Sequence, residues 1–270
     1  MVMKIICAVK FVHDVDSIVC DVENNTFDNI GAGKSVRMIL NPDDACALAF
    51  ALQVKAENPE CFIEVVSMGP AAVLPHMEDL LRLQVDRGTL ICDPVFDGSD
   101  TFVISEVLGR YISTRPFDCL LTGCCSLDGG SSHVPVQLAE TLDLDQMLGI
   151  LRIDPHRFDS TRAIFEVADE ESVTTYEMAM PCVLSLTRES DYKLPYVKLT
   201  DMQRDVSDEL VIITNRDLGF TEPEVGPAGS FINVVKTYPQ TYEKRNRHIV
   251  HNDEEGITYV LDFLKQRGFL

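Results

Sequence analysis

A turn rich in glycine and serine precedes an apolar helix pattern near the middle of the chain. The residues from Gly129 to Ser132 lie directly before a segment that begins at His133. Such a turn offers free backbone N–H groups, two hydroxyl donors and the positive end of a helix dipole. These groups predict a phosphate site. Turn geometry and helix capping alone would also explain the composition, so both interpretations stand at this point.

Side chains that could catalyse a reaction are scarce around this turn. His133 could act as a general base, but no serine or cysteine nucleophile with a third orienting residue pairs with it in the sequence. Beside a phosphate, this histidine would instead donate a hydrogen bond. Asp97, Asp100 and Asp128 are more typical of caps and turns than of acid–base chemistry. We therefore predict a binding or carrier protein and not an enzyme with its own active site.

The elements that must position this turn follow from the apolar pattern. The run Cys119–Leu121 predicts a buried strand before the turn, and Val134, Leu138 and Leu142 share one face of a helix after it. Further apolar runs at 5–12, 62–66 and 89–92 alternate with helix patterns. One of these helices would be capped by Asn41 or Asp43, and another would start at Ser99 or Asp100. The alternation predicts a doubly wound, mostly parallel α/β sheet, a Rossmann-like fold.

The second half of the chain has a different pattern. Residues 163–167 and 173–180 predict antiparallel strands before an apolar run at 183–186. From residue 217 to about 237, glycines and prolines are frequent, which predicts an extended arm. The chain then ends in a probable amphipathic helix with Ile257, Val260 and Leu261 on one face. We expect an α/β domain over 1–205, which ends in a loop at 191–205, followed by an arm and helix over 206–270.

Composition excludes several classes of protein. The 270 residues are 46% hydrophobic and 24% charged, which is enough to bury a large core. The formal charge of −20 argues against a nucleic-acid partner, because phosphate backbones are bound by clustered Lys and Arg. No apolar run approaches the roughly 20 residues that span a bilayer. Nine cysteines without a C-x-x-C pair, and no signal peptide, predict a reducing cytoplasm rather than zinc or disulfides.

Five segments together resemble one known family. The last of them, 128–140, is D-G-G-S-S-H-V-P-V-Q-L-A-E and is similar to the D-G-D-T-x-Q-V-G-P-x-x-A-E loop of the small (β) subunit of electron-transfer flavoproteins. The other four match that family's opening strand and its I-N-P-x-D/E, V-S-M-G-P and F-x-G-x-D-T segments; they are 3–10, 39–44, 66–70 and 96–101. Order and spacing agree over about the first 200 residues.

The resemblance implies a carrier that binds an adenine nucleotide at this loop. By position, the residues implied to bind the nucleotide are Ala8, Asn41, Pro42, Asp43, Asp44, Met68, Asp100, Thr101, Gly123, Cys124, Cys125, Ser126, Asp128, Gly129, Gly130, Ser131, Ser132, His133 and Val134. In one branch of the family the nucleotide is a structural AMP; in the electron-bifurcating branch it is FAD, which receives electrons from NADH. The small residues of the turn and the 41–44 and 98–101 segments look like the bifurcating branch, so we expect FAD, with AMP as the alternative. The Arg and Gln that follow the family's first loop glycine are Cys124 and Cys125 here.

The family also implies protein partners. Its β subunit forms a heterodimer with an α subunit, and the pair shuttles electrons between an acyl-CoA-type or other dehydrogenase and an acceptor. Tyr196, Leu199 and Met202 keep the spacing of the family's P-R-Y-x-x-L-x-x-I/M segment, which implies contact with the dehydrogenase. The alternative function is that of an adenine-nucleotide-binding α/β enzyme or a stress-type nucleotide sensor.

Overall fold

A nine-stranded sheet forms the centre of the computed structural model, which describes residues 2–14, 37–232, 235 and 248–270. The strands of the described residues are Lys4–Ala8 (β1), Phe11–His13 (β2), Met38–Leu40 (β3), Phe62–Met68 (β4), Arg87–Ile91 (β5), Cys119–Gly123 (β6), Asp145–Phe158 (β7), Arg162–Ala168 (β8), Val173–Ala179 (β9), Cys182–Leu186 (β10) and Leu210–Ile213 (β11). The helices are Pro42–Glu57 (α1), Leu74–Leu81 (α2), Thr101–Ile112 (α3), His133–Leu142 (α4), Asn215–Leu218 (α5), Gly226–Gly229 (α6) and Glu254–Gln266 (α7).

The order of the strands separates a parallel part of the sheet from an antiparallel part. The order is β11-β5-β4-β1-β6-β10-β7-β8-β9, while β2 and β3 form a separate antiparallel pair. All neighbours from β11 to β7 are parallel, and β8 and β9 extend the sheet as antiparallel strands. The predicted antiparallel strands are therefore present. The long strand β7 was not predicted, because Gly149 and Pro155 interrupt its apolar pattern.

Apolar side chains fill both faces of the parallel part. On one face, Phe50 of α1 and Met77 of α2 are fully buried. On the other face, Leu138 of α4 is fully buried, and Val134 and Leu142 pack against the same cluster, as their spacing predicts. Helices thus cover both faces of a mostly parallel sheet, and the predicted doubly wound α/β fold is confirmed.

The C-terminal segment differs from the prediction of an extended arm. Strand β11 pairs with β5 at the edge of the main sheet, so a boundary at residue 206 would divide one sheet. Phe220 and Val225 are buried in the α3–α4 cluster. Residues 210–232 dock on the main domain, where two apolar anchors between the glycines and prolines hold the segment. The rest of the predicted arm, up to residue 237, lies outside the described residues except for Val235.

The terminal helix was predicted correctly, and it has an exposed apolar face. Ile257, Val260 and Leu261 lie on α7 and are each more than two-fifths exposed. Among the described residues, no helix combines the length and the apolar character required to cross a membrane.

The docking of the C-terminal segment predicts a stability effect at Phe220. Its ring lies beneath the Arg110 guanidinium, 3.5 Å from the ring centroid, and meets Phe96 edge-on at 6.4 Å. We expect Phe220→Ala to lower the free energy of unfolding of the isolated chain by about 3 kcal/mol, because it removes a buried ring. Denaturant unfolding would measure the change. The control is Phe269→Ala, which alters a ring that is 74% exposed; equal stability of both variants would show that the segment is ordered only by a partner.

Candidate functional site

A cavity of about 290 Å³ lies at the carboxyl ends of β1, β4, β5 and β6. Its walls come from the loops that follow these four strands and from the first turn of α1. Ligands of open α/β sheets bind at this end of the strands, because the loops converge there. The cavity is therefore the first candidate for a binding site.

Most of the residues implied by the family resemblance line this cavity. They are Ala8, Asn41, Asp44, Met68, Thr101, Gly123, Cys124, Cys125, Ser126, Gly129, Ser131, Ser132, His133 and Val134. Five other implied residues do not line it, namely Pro42, Asp43, Asp100, Asp128 and Gly130. Four of these five belong to the frame around the cavity, through hydrogen bonds, an ion pair or a special backbone conformation.

Asn41 connects the start of α1 to the cavity loop. The sequence predicted a helix cap at Asn41 or Asp43, and α1 does begin directly after Asn41, but this side chain makes no capping bond. Its amide donates to the Cys125 carbonyl at 2.8 Å, and its oxygen accepts from the Leu127 N–H at 3.1 Å. The side chain therefore fixes the loop after β6 and does not cap its own helix.

Asp44 links the ends of two neighbouring strands through its carboxylate. Its carboxylate accepts the N–H of Lys10 at 2.8 Å and that of Gly123 at 2.7 Å, which joins the ends of β1 and β6. Burial raises the pKa of Asp44 to about 7, although the two N–H groups act in the opposite direction.

Asp43 reaches two further loops. It accepts the Cys125 N–H at 3.0 Å and the Arg188 N–H at 3.1 Å. Burial raises the pKa of Asp43, and the two backbone hydrogen bonds oppose that shift. The first turn of α1 thus holds the chain after β1, β6 and β10 through side-chain acceptors.

The turn before α4 has the backbone geometry of an anion site. Gly130 and Ser132 have φ angles of 63° and 55°, in the left-handed region. Within the described residues, the N–H groups of Ser131, Ser132 and His133 donate to no other group. α4 has ten residues, so its dipole adds to these donors. The His133 Nδ1 atom lies 3.5 Å from the Thr101 hydroxyl, at the start of the neighbouring helix α3.

Asp100 supports the wall of the cavity that residues 97–101 form. One carboxylate oxygen caps α3 by accepting the Val103 N–H at 3.0 Å, as the sequence predicted. The other oxygen accepts the N–H groups of Phe231 and Ile232 at 2.8 and 3.0 Å. The Ser99 hydroxyl accepts the Gly226 N–H at 3.1 Å. The docked C-terminal segment therefore holds the 97–101 wall in place.

Several cavity residues were missing from the set implied by the resemblance. They are Val9, Lys10, Gly69, Ile91, Asp93, Phe96, Asp97, Gly98, Ser99, Ile104, Leu108, Thr122 and Pro135. Eight of them belong to the matched family segments, so the signal that could have found them was the full length of those segments and not only their polar positions. Asp93 had no sequence signal for its role: it accepts the N–H groups of Val95 and Asn215 and shapes the loop after β5.

The predicted recognition loop is exposed. Tyr196, Leu199 and Met202 are 96%, 87% and 56% exposed, so none of them packs into its own domain. Tyr192 fixes the start of the loop, because its hydroxyl bonds both the N–H and the carbonyl of Ile153 at 3.0 Å. Arg204 fixes the end by donating to the Leu81 carbonyl.

The contact of α1 with β6 predicts that position 123 requires glycine. A Cβ atom at Gly123 would lie 2.6 Å from the backbone nitrogen of Asp44 and would also meet its carboxylate. We expect Gly123→Ala to lower the free energy of unfolding by about 2 kcal/mol or more, because backbone atoms must move. Thermal or denaturant unfolding would measure this effect. Gly129→Ala is the control within the same loop, since its Cβ would meet only the Ser126 hydroxyl, at 3.1 Å; equal losses in both variants would contradict the close contact.

Comparisons with known proteins show the family of this chain. Residues 32–198 match the family model described as the electron transfer flavoprotein domain. The chain is 27% identical to the electron transfer flavoprotein subunit beta of Thermoanaerobacterium thermosaccharolyticum, over 98% of this chain and 99% of that protein. It is also 27% identical to subunit CarD of the caffeyl-CoA reductase-Etf complex of Acetobacterium woodii, over 87% of each chain. Identity to the acryloyl-CoA reductase electron transfer subunit gamma of Anaerotignum propionicum is 25%, over 98% of this chain and 99% of that protein. The family model covers well over half of the chain, so the chain belongs to the electron transfer flavoprotein family and resembles its β subunits.

Proposed function

We propose that this chain is the β subunit of an electron transfer flavoprotein that binds an adenine nucleotide in the cavity at the carboxyl ends of its strands. With an α subunit, it would carry electrons between a dehydrogenase and an acceptor. The observation that carries the proposal is the row of N–H donors from Ser131 to His133, which have no partner within the described residues. In a member of this family, such donors fit the phosphate of a nucleotide.

The remaining walls of the cavity also fit a nucleotide. Phe96, Ile104 and Leu108 give it an apolar side, where a flat base would be removed from water. The polar donors come from the turn before α4, which also lines the cavity. Apolar walls with a few convergent polar groups are the usual composition of a small-molecule site.

We favour FAD over AMP as the nucleotide. The relatives from the caffeyl-CoA and acryloyl-CoA reductase complexes support this choice, and so does the turn of small residues, Gly129 to Ser132. The cavity volume of about 290 Å³ is near the lower end of the roughly 300–1,000 Å³ typical of ligand sites. It suits the adenosine phosphate part that both nucleotides share. FAD would supply reversible one- and two-electron chemistry, whereas AMP would be structural.

NADH-dependent bifurcation is the alternative to simple electron transfer within this proposal, and two positions of the loop after β6 speak against it. Cys124 and Cys125 stand where the resembling loop has Arg and Gln, and a thiol provides no cation for a flavin or phosphate. Burial raises the pKa of Cys124, so its thiol stays protonated at neutral pH. Direct oxidation of NADH therefore has no support from these two positions.

The exposed surfaces fit protein partners. The apolar face of α7 is left uncovered by the described residues, and we assign it to the α subunit. We assign the recognition loop, with Leu199 at its exposed centre, to the dehydrogenase.

A cytoplasmic location stays a prediction. It is supported by the cysteines of the described residues, all of which are free thiols.

The nucleotide can be identified directly. Heating the purified full chain should release the bound nucleotide, and chromatography with mass measurement should identify FAD or AMP. A sample without either nucleotide, purified with or without an α subunit, would contradict the proposed function.

A substitution at Ser131 tests where the phosphate binds. We expect Ser131→Glu to reduce the nucleotide content of the purified protein by tenfold or more, because a carboxylate would face the phosphate. Ser131→Ala is the matched control and should keep most of the nucleotide, since backbone N–H groups provide most of the contacts. Both variants should retain the wild-type melting temperature when compared without ligand. Full nucleotide content in Ser131→Glu would place the phosphate elsewhere.

A substitution at Leu199 tests the docking loop. We expect Leu199→Ala to weaken binding to the dehydrogenase by about 2 kcal/mol, the effect of removing an anchor that fills a partner pocket. Titration calorimetry would give the affinity, while nucleotide content and melting temperature should not change. Val173→Ala is the control, because Val173 is an exposed apolar residue of β9, outside the loop. Equal affinity for wild type and Leu199→Ala would rule out this residue as the anchor.

A further inference from the structure

The cavity has few positive charges for a phosphate ligand. Lys10 is the one lysine or arginine among the lining residues in the described part of the chain. The lining residues with acidic side chains are Asp44, Asp93 and Asp97. A phosphate would bring further negative charge into this environment. A cation within reach of the turn before α4 would therefore have a large effect on affinity.

Lys10 is held at its backbone by two hydrogen bonds, while its half-exposed side chain forms one ion pair. Its N–H donates to Asp44 at 2.8 Å, and its carbonyl accepts the Asn41 N–H at 2.9 Å. Its Nζ atom pairs with both carboxylate oxygens of Asp128, at 2.7 and 2.8 Å. Both side chains of this pair are nearly half exposed. A flexible ammonium group at this position can change partner without any movement of the strand end.

Asp128 belongs to the same loop as the phosphate donors. It lies only three residues before Ser131, so a phosphate at the turn would approach its carboxylate. Burial would raise the pKa of Asp128, but the hydrogen bond and charge of Lys10 lower it below the ordinary value. Asp128 is therefore ionised at neutral pH, and it would repel a phosphate that lacked a cation. The Lys10–Asp128 pair is exposed to water and contributes little to stability, so opening it has a small cost.

We propose that Lys10 is the cation that binds the nucleotide phosphate and that Asp128 competes with the phosphate for it. This inference rests on the proposed nucleotide site and adds to it a residue that determines affinity. Lys10, which is ion-paired to Asp128 of the same loop, would supply the positive charge that Cys124 and Cys125 do not provide. When the site is empty, the ion pair also neutralises the loop.

The test measures the dissociation constants of AMP and adenosine for the full chain freed of nucleotide, by titration calorimetry. Adenosine lacks the phosphate, so it reports on the rest of the cavity. We expect Lys10→Met to weaken AMP binding about tenfold or more, in the range for hydrogen bonds to charged groups, and to leave adenosine binding unchanged. We expect Asp128→Asn to strengthen AMP binding, because it removes both the competitor and the repulsion. The advantage of AMP over adenosine should also decrease as salt is added.

Two control variants test whether the effect depends on the positive charge at position 10 and on its place in the cavity. Lys10→Arg should retain most of the AMP affinity, and Lys265→Met, on α7 and away from the cavity, should match the wild type. If Lys10→Met also weakens adenosine binding, the substitution has damaged the cavity, and the Asp128→Asn variant then provides the test. Stronger AMP binding by Asp128→Asn supports the inference, and unchanged AMP binding overturns it. Unchanged AMP affinity in an intact Lys10→Met variant overturns the inference and leaves the nucleotide site standing. A wild-type chain that binds neither AMP nor adenosine, even with its α subunit, overturns the proposed function and this inference together.

Discussion

The structure of the site depends on the contact between the first turn of α1 and the end of β6. Side-chain oxygens of Asn41, Asp43 and Asp44 accept backbone N–H groups from loops that are far away in the sequence. The contact is close enough that residue 123 has no space for a side chain. Buried N–H groups that lost these acceptors would remain unpaired, and each such loss costs about 1–3 kcal/mol. The cavity loop therefore keeps its shape without a ligand, and its free donors are already in position for an anion.

This arrangement divides the polar groups of the loop into two sets. The N–H groups of Gly123, Cys125 and Leu127 are used by α1, whereas those from Ser131 to His133 donate to no described group. The first set fixes the path of the chain, and the second set remains available to bind. Left-handed backbone conformations at Gly130 and Ser132 separate the two sets, because they reverse the direction of the chain before α4.

The sequence predicted those parts of the molecule that depend on local patterns. The strand β6 and the helix α4 followed from an apolar run and from the four-residue spacing of Val134, Leu138 and Leu142. Long-range contacts could not be predicted in this way. Asp43 was expected to touch the nucleotide, and its bond to Arg188 joins residues 145 positions apart. Phe220 was assigned to an extended arm from its glycine- and proline-rich neighbours. Its burial depends on contacts with Arg110 and Phe96, and no local pattern around residue 220 reveals these contacts.

The same helix α1 also connects the cavity to the recognition loop. Asp43 accepts the Arg188 N–H directly after β10, and one turn later the Cys46 thiol donates to the Tyr192 carbonyl at 3.4 Å. Tyr192 in turn packs edge-on against Phe50 of α1, with ring centroids 5.3 Å apart. The start of the 191–205 loop and the cavity at the carboxyl ends of the strands thus share one support, helix α1. Leu199 itself makes no contribution to this support, since its side chain is almost fully exposed. If the two proposed roles hold, residues at the tip of the loop and residues in the turn before α4 can alter partner docking and nucleotide binding separately, whereas a change in the first turns of α1 would disturb the support of both.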